Sequence, residues 1–385
     1  MDLEPTRALL IDLSRHFGGA SKRALALLGG LSGEQGALAV LQGSPISRLA
    51  ADHQYDCHVI ARHKLDVRIP KKLGHLIQRH RFQVIDTQNP QSQLWGCLAA
   101  ARSGVALVST LNSWYFDEHG GNWKGRLYQT LQQITNPGVD LFIAVSGEIR
   151  ERLLSSGIDE ERIALIPNAV TLEPSSIARD RPTLCREFDF PPDAQVCCAV
   201  GRLVEAKGYA NLLAAMARIA ESHPRSRCLI IGDGGLYQTL ARRIRQLGLQ
   251  QRVRLTGFQP PDRTASLLKS SDLFVMPSIS EGTPVALLEA AALGKPIAAS
   301  RAGGIGSIVR HDEHALLVAP GDEAALAGAL ATLFDHPDLA HRLGSTAQTH
   351  VLSHFGLASQ VETTRKAYQR ARCHAERRRT SRNRR

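Results

Sequence analysis

Two acids, Glu281 and Glu289, stand with seven residues between them in a stretch that otherwise reads as a place for an anion. The apolar run Leu273-Phe274-Val275-Met276 reads as a buried strand that ends at the Pro277-Ser278 turn. A polar loop with Glu281 and Gly282 follows. Thr283 then stands where a helix N-cap belongs and Pro284 where the first helical residue belongs. The helix, Val285 to Leu293, stops at Gly294, with Pro296 just beyond. A strand, a short loop and a helix whose free N–H groups point back at the loop make an anion site. A carboxylate beside a phosphate would repel it, so the two Glu should address hydroxyl groups. An ionised carboxylate accepts two hydrogen bonds, which suits a vicinal diol. A ligand with phosphate in its middle and a sugar at either end would use both features, and a nucleotide-sugar has that layout. Taken singly, each Glu is more simply read as a solvated surface charge.

Taken whole, the segment Pro277-Ser278, Glu281-Gly282, Leu288-Glu289-Ala290 and Gly294-Lys295-Pro296 resembles the Glu-x7-Glu signature of retaining glycosyltransferases of family 4, the group 1 glycosyltransferases. The resemblance implies an α/β fold of the GT-B type: two Rossmann-like domains with parallel sheets facing an interdomain cleft. It extends over nearly the whole chain. Gly201-Arg202-Leu203 with Lys207-Gly208 is similar to the family's Gly-Arg-Leu…Lys-Gly motif. By that resemblance Arg202 and Lys207 carry the charge chemistry: a departing nucleotide diphosphate gains negative charge, and two fixed cations would stabilise it. No Asp-x-Asp motif occurs in the sequence, so a metal held in that way is not expected, and no cofactor is implied. The catalytic set carried over is Arg202, Lys207 and Glu281. The donor-binding set is Gly18, Gly19, Gly232, Gly234, Phe258, Gly282, Thr283, Val285 and Glu289.

Two departures from the family pattern stand out. Many relatives place a cleft histidine where this chain has Asn112, which can donate and accept hydrogen bonds but cannot shuttle a proton at neutral pH. Relatives also continue the Gly303-Gly304 pair with Pro-Glu, whereas Gly306-Ser307 follows here, so this loop is expected to be looser. Between them lies the segment from Trp114 to Lys124, aromatic and polar together in a chain with 5% aromatics. It reads as a sugar-stacking or acceptor surface, or equally as a buried aromatic cluster.

The elements that must position these residues can be read in order. Ala8 to Leu13 is a first strand, turning through Gly18-Gly19 into a helix from Ser21 to about Leu28. Ala37–Leu41, Cys57–Ile60, Phe82–Gln88, Val105–Thr110 and Leu141–Ser146 read as further strands. Pro70 to Arg81 reads as an amphipathic helix with Leu73, Leu76, Ile77 and His80 on one face. The domains expected are 1–175, facing the acceptor; a linker over 176–193, rich in proline; 194–350, binding the nucleotide-sugar; a returning helix over 351–372; and a basic tail over 373–385.

The 385 residues carry a formal charge of +11, unevenly placed. Residues 370–385 hold eight Arg against one Glu, and Arg62 to Arg81 holds seven Lys or Arg against the single Asp66. That asymmetry points to an anionic surface as partner, phospholipid before nucleic acid. No apolar run approaches the ~20 residues that span a bilayer. The N-terminus does not read as a secretory signal, and seven scattered cysteines without a Cys-x-x-Cys pair suggest reduced thiols. A cytoplasmic location, peripheral at the inner membrane face, is therefore expected. The function expected is transfer of a hexose-type sugar from a nucleotide-sugar to a glycan or lipid-linked acceptor in cell-surface polysaccharide or lipopolysaccharide synthesis. The rival is a relative that binds the nucleotide-sugar without transfer, epimerase-like or non-catalytic.

Overall fold

The computed structural model describes residues 6–31, 35–113 and 123–383. Within it the chain divides into two units. Residues up to Ala169, joined by those from Leu357 onward, form the first, and Val170–Gly356 the second.

In the first unit β1 (Ala8–Asp12), β2 (Gly36–Leu41), β3 (Cys57–Ala61), β4 (Val84–Thr87), β5 (Ala106–Leu111), β6 (Leu141–Ala144) and β7 (Ile163–Leu165) form one parallel sheet, ordered β3-β2-β1-β4-β5-β6-β7. The helices α1 (Gly19–Gly30), α2 (Pro45–Asp52), α3 (Ile69–His80), α4 (Pro90–Ser103), α5 (Trp123–Thr135) and α6 (Gly147–Ser155) alternate with the strands. A parallel sheet covered on both faces needs strands that are apolar on both sides, and β1, β2 and β5 are buried at every residue. Successive side chains sort to opposite faces. Leu9 and Ile11 join Leu73 and Ile77 of α3, while Ala8 and Leu10 join Leu27 of α1.

The second unit repeats the plan. Its strands β8 (Gln195–Val200), β9 (Ser226–Ile231), β10 (Val253–Leu255), β11 (Leu273–Met276), β12 (Ile297–Ser300) and β13 (Leu316–Val318) make a parallel sheet ordered β10-β9-β8-β11-β12-β13. Its helices are α7 (Arg181–Glu187), α8 (Tyr209–Arg218), α9 (Tyr237–Gln246), α10 (Pro261–Ser270), α11 (Val285–Ala292), α12 (Ile305–Ile308), α13 (Glu323–Asp335) and α14 (Pro337–His354). Both sheets therefore reverse direction between their first and fourth strands, which leaves a crevice beyond the carboxyl ends of those two strands.

Three boundaries differ from the sequence expectation. The first unit stops at Ala169, not 175. Residues 176–193 are not a bare linker: α7 is capped by Asp180, and Leu184, Cys185 and Phe190 are buried in the core of the second unit. At seven residues, α7 is too short to show a helical period. Finally, α15 (Leu357–Asn383) runs through what was read as a separate basic tail. Val361, Tyr368, Ala371 and Ala375 of this helix fall on one face and are buried against the first sheet. Its arginines are engaged: Arg378 pairs with the buried Asp140 at 3.1 Å, and Arg370 donates to the Ile163 carbonyl at 2.6 Å. All seven cysteines are unpaired thiols. Burial holds Cys57 and Cys97 up to about 11 and Cys198 to about 12, so these thiols are poor nucleophiles.

Candidate active site

In the second unit the crevice between β8 and β11 is walled by the loops that leave those strands, Gly201–Gly208 and Pro277–Pro284. Backbone hydrogen bonds fix the first loop. Gly201 N–H reaches the Ile231 carbonyl and Leu203 N–H the Asp233 carbonyl, each at 3.0 Å. The loop then tightens into one helical turn, Glu205–Lys207, and leaves it at Gly208, which has φ 62°. A Cβ at Gly208 would lie 2.0 Å from the Pro277 carbonyl oxygen, so the two loops meet there only because this residue is glycine. Ile279 N–H closes the same contact on the Ala206 carbonyl at 2.8 Å.

This packing brings two of the three expected catalytic residues together. Lys207 Nζ donates to Glu281 Oε1 at 2.5 Å, and Ser278 Oγ donates to the same oxygen at 2.6 Å. The Glu281 side chain is only 6% exposed, so its charge depends on these partners. Burial, with the Glu281 carboxylate behind it, pushes the phenol of the neighbouring Tyr209 well above its ordinary range. From the other side, Gly303 has φ 51°, and a Cβ there would lie 1.9 Å from the Glu281 carbonyl oxygen. Gly304 N–H donates to that oxygen at 3.2 Å. The loop carrying Gly306-Ser307 is thus not slack as expected: it forms α12, with Ser307 Oγ donating to the Gly304 carbonyl at 2.7 Å. Arg202, half-buried, lies in the loop that also carries Lys207.

The helix start differs by one residue from the sequence reading. Pro284, with ψ 114°, is the N-cap, and Val285 is the first helical residue. Thr283 is buried one position further out. Proline offers no side-chain acceptor, and Pro284 makes no cap hydrogen bond to the start of this helix. Glu289 lies one turn into α11 and is 4% exposed, so the reading of an exposed helical charge does not apply to it. Gly282 is buried beside Thr283. Gly232, at φ 146°, abuts the Gly201 carbonyl, where a Cβ would lie at 1.9 Å, and a Cβ at Gly234 would lie 2.5 Å from the Leu203 carbonyl oxygen. Gly232 N–H reaches the Gly257 carbonyl at 3.0 Å, which sets Phe258, 48% exposed, beside the glycine turn.

In the first unit the corresponding crevice lies between β1 and β4. Gly18 caps α1 in an extended conformation that any residue could adopt, so its backbone does not itself demand glycine; Gly19 is the first residue of the helix. The residue organising this end is Asp12, which sequence reasoning missed. It accepts from Ser14 N–H at 2.8 Å, Ser21 Oγ at 2.6 Å and Asn89 Nδ2 at 3.3 Å. Its signal was a charge as the last polar residue of an otherwise apolar strand. Asn112 Nδ2 lies 3.4 Å from both the carbonyl and Oε1 of Gln88, while its Oδ1 is buried and has no hydrogen-bond partner among the described residues. Most of the aromatic segment, residues 114–122, lies outside the described residues.

Two family descriptions match the chain. Residues 180–350 match "Glycosyl transferases group 1" and residues 17–174 match "Glycosyltransferase Family 4". Among curated proteins, the D-inositol 3-phosphate glycosyltransferase of Corynebacterium efficiens is 29% identical over 255 residues, covering 63% of this chain and 59% of that protein. The chain thus spans about three-fifths of that relative's length. The UDP-Gal:alpha-D-GlcNAc-diphosphoundecaprenol alpha-1,3-galactosyltransferase of Escherichia coli is 25% identical over 309 residues, 79% of each chain. Among solved structures, Anabaena HepE in complex with UDP and glucose superposes with a TM-score of 0.81 at 21% identity, covering 94% of this chain and 99% of that one. At that identity the likeness establishes the fold, which is GT-B. With the two matches meeting the two structural units, the chain belongs to the group 1, or family 4, glycosyltransferases.

Proposed function

We propose that this protein is a retaining, metal-independent glycosyltransferase that moves a hexose-type sugar from a nucleotide-sugar to a glycan or lipid-linked acceptor. The part-buried Lys207–Glu281 pair at the crevice of the second unit carries this reading, because a fixed cation and a hydroxyl acceptor stand side by side. Lys207 and Arg202 neutralise the departing diphosphate, aided by the N-terminus of α11. Glu281 has two duties. Its Oε1 holds Lys207 and accepts from Ser278, while Oε2 accepts from a donor hexose hydroxyl. Glu289 accepts from the ribose diol. In the transfer step the acceptor oxygen bonds to the anomeric carbon on the face the phosphate is leaving. The electron pair of the breaking bond goes to the diphosphate, whose oxygen takes the acceptor proton.

The acceptor reading draws support from the Escherichia coli relative, whose name places its substrate on a diphosphoundecaprenol carrier. It also draws support from the first unit. There Val59, Leu65 and Val67 are 57%, 74% and 80% exposed, around a surface hollow of about 620 Å³ that Arg62, Arg68 and Lys72 also line. Three exposed apolar side chains beside Arg62, Arg68 and Lys72, the last two paired with Asp66, suit an anionic lipid surface. The patch lies within the basic stretch Arg62 to Arg81, while the apolar face of α3 is spent on the core through Leu73 and Ile77. No helix among the described residues is long and apolar enough to cross a membrane. On this reading the protein works at the cytoplasmic face of the membrane in cell-surface polysaccharide or lipopolysaccharide synthesis.

A thermal-shift screen of nucleotide-sugars, followed by transfer assays on lipid-diphosphate glycans with the donor that stabilises best, tests the proposal. A donor that stabilises the protein and is consumed only with acceptor supports it. Conversion of the donor without acceptor would instead favour the epimerase-like alternative.

A further inference from the structure

Away from the crevices, the outer strand of the first sheet carries a cluster that the transfer chemistry does not use. Asp56 and His58 are two residues apart at the start of β3, so strand alternation sends both side chains to one face. His80 is the last residue of α3, which packs beside that strand. The chain then reverses through Arg81 in the left-handed conformation, φ 54°, and the His80 ring stacks on Phe82 with centroids 5.8 Å apart. The His58 and His80 rings lie 4.9 Å apart at 58°. One ligating atom from each of Asp56, His58 and His80 falls within 4.8 Å of the other two.

The contact between Asp56 and His58 is the informative one. His58 Nε2 lies 3.0 Å from Asp56 Oδ1, yet it is buried and makes no hydrogen bond of acceptable geometry among the described residues. An in-line proton between the two atoms would register as a hydrogen bond. Two lone pairs at that distance with nothing between them would repel. A cation set off the line between them satisfies both, and His80 supplies a third donor on the same side.

We propose that Asp56, His58 and His80 bind a borderline divalent metal ion of the zinc type. Two imidazoles and one carboxylate are a zinc-like donor set, and three protein ligands leave a fourth position for water. Donors on one tetrahedral zinc stand ~3.3 Å apart, so the widest pair here must close by at most about 1.5 Å, within reach of side-chain rotation. The opposing charge is Arg79, which is exposed, so solvent screens it. The ion would tie the outer strand to the end of α3 and stay outside sugar transfer.

The test uses the full chain, stripped of metal, with zinc alone and then cobalt(II) alone as probes. Equilibrium dialysis should show one saturable equivalent of zinc. Cobalt should give the visible absorption of a tetrahedral site, and zinc should raise the melting temperature in proportion to the logarithm of its concentration. His58→Ala and His80→Ala should each weaken binding by ~10-fold or more, and Asp56→Asn should weaken it too. His350→Ala should leave binding intact, although it removes the centre of the other histidine stack, His314–His350–His354 in the second unit. Metal-free melting curves establish that each variant is folded; should one alanine variant not fold, Asp56→Asn and His80→Gln carry the test. The proposal is overturned if no saturable equivalent binds, if the Asp56, His58 and His80 variants bind as the parent does, or if His350→Ala alone abolishes binding. Zinc dependence of sugar transfer itself would also overturn it, because the site lies outside that reaction.

Discussion

The two sheets run in the same strand order and reverse at the same place, yet their crevices are built from opposite materials. In the second unit the loops beyond β8 and β11 carry Arg202, Lys207 and Glu281, locked by glycines whose missing Cβ atoms let backbone meet backbone. In the first unit Asp12 at the end of β1 meets Ser14 and Asn89 of the loops beyond β1 and β4, and their polar groups largely satisfy one another. A crevice that must meet developing phosphate charge needs fixed ions held against their own desolvation cost. A crevice whose acid, Asp12, is already bonded to its neighbours can vary with the acceptor while its framework persists. The contrast supports the proposal that the charge chemistry lies in the second unit, and it can be attacked from either side.

The largest effect should come from Lys207→Ala. The substitution removes a cation and leaves Glu281 buried with Ser278 as its remaining neutral donor. Loss of one stabilising group of this kind costs ~10²–10³ in turnover. Steady-state transfer assays should show that loss, along with a smaller donor-induced thermal shift. Transfer at the wild-type rate would sink the assignment of the reaction to this crevice.

Next is Gly303→Ala. The added Cβ would have to displace the Glu281 carbonyl, and the positive φ is itself unfavourable for alanine by about 1–2 kcal/mol. Differential scanning calorimetry should show a lower melting temperature, and donor binding should weaken because Glu281 moves with its backbone. Gly18→Ala makes the matching test in the first unit, where the capping residue is already extended, and should cost a few tenths of a kcal/mol.

Third is a test of what holds the first unit. Tyr368 Oη donates to the fully buried Asp86 at 2.7 Å, and Thr110 Oγ1 donates to its other oxygen at 2.8 Å. Tyr368→Phe should cost about 1–3 kcal/mol in urea unfolding, with the donor-induced shift in the second unit unchanged. A pH signature accompanies it. Burial raises the Asp86 pKa, with Arg23 opposing, above its value in the unfolded chain. The protonated form is thus favoured by folding. Its contribution is complete below the unfolded pKa, near 4, and fades as pH rises through the folded one. Stability of the first unit should therefore decline upward from about pH 4, and Asp86→Asn should flatten that slope.

How much of this was readable beforehand follows from the physics of each feature. The parallel sheets were legible because strands buried on both faces appear as unbroken apolar runs, and the Glu281–Glu289 segment because its turn, helix start and acids fall in one register. The Lys207–Glu281 bond was not, since the two residues are far apart in sequence and meet only where Gly208 lets loops from different strands touch. The last helix was read as ending near 372 because the arginines after it look like a solvated tail. The partners of Arg378 among them, Asp140 and the Gly138 carbonyl, are visible only in three dimensions. Asp12 was passed over for a similar reason: an acid at a strand end takes on meaning only once Ser21 and Asn89 are seen to converge on it.

The smallest effect, and the sharpest probe of the contrast, should come from Asn112. In the first unit this residue keeps the site neutral where many relatives place histidine. Its amide nitrogen makes only long contacts, at 3.4 Å to Gln88 and 3.5 Å to the Thr110 carbonyl, and its oxygen is buried without a partner. Asn112→Ala removes groups that contribute little to folding, so unfolding free energy should change by no more than about 0.5 kcal/mol. Donor affinity should not move if, as proposed, the second unit meets the donor's charged groups. The carboxamide oxygen, without a partner among the described residues, can still accept one hydrogen bond from a bound hydroxyl. Losing a single neutral hydrogen bond of that sort is worth ~0.5–1.5 kcal/mol, about a tenfold change at most, and it should fall on turnover with acceptor present. A loss approaching that of Lys207→Ala would mean that the crevice of the first unit shares the chemistry after all. Asn112→His then separates positioning from proton transfer. If the residue only positions, the histidine variant follows one pH profile with the parent; if a proton carrier is wanted there, a new inflection near the ordinary histidine pKa of about 6.5 appears in kcat/KM.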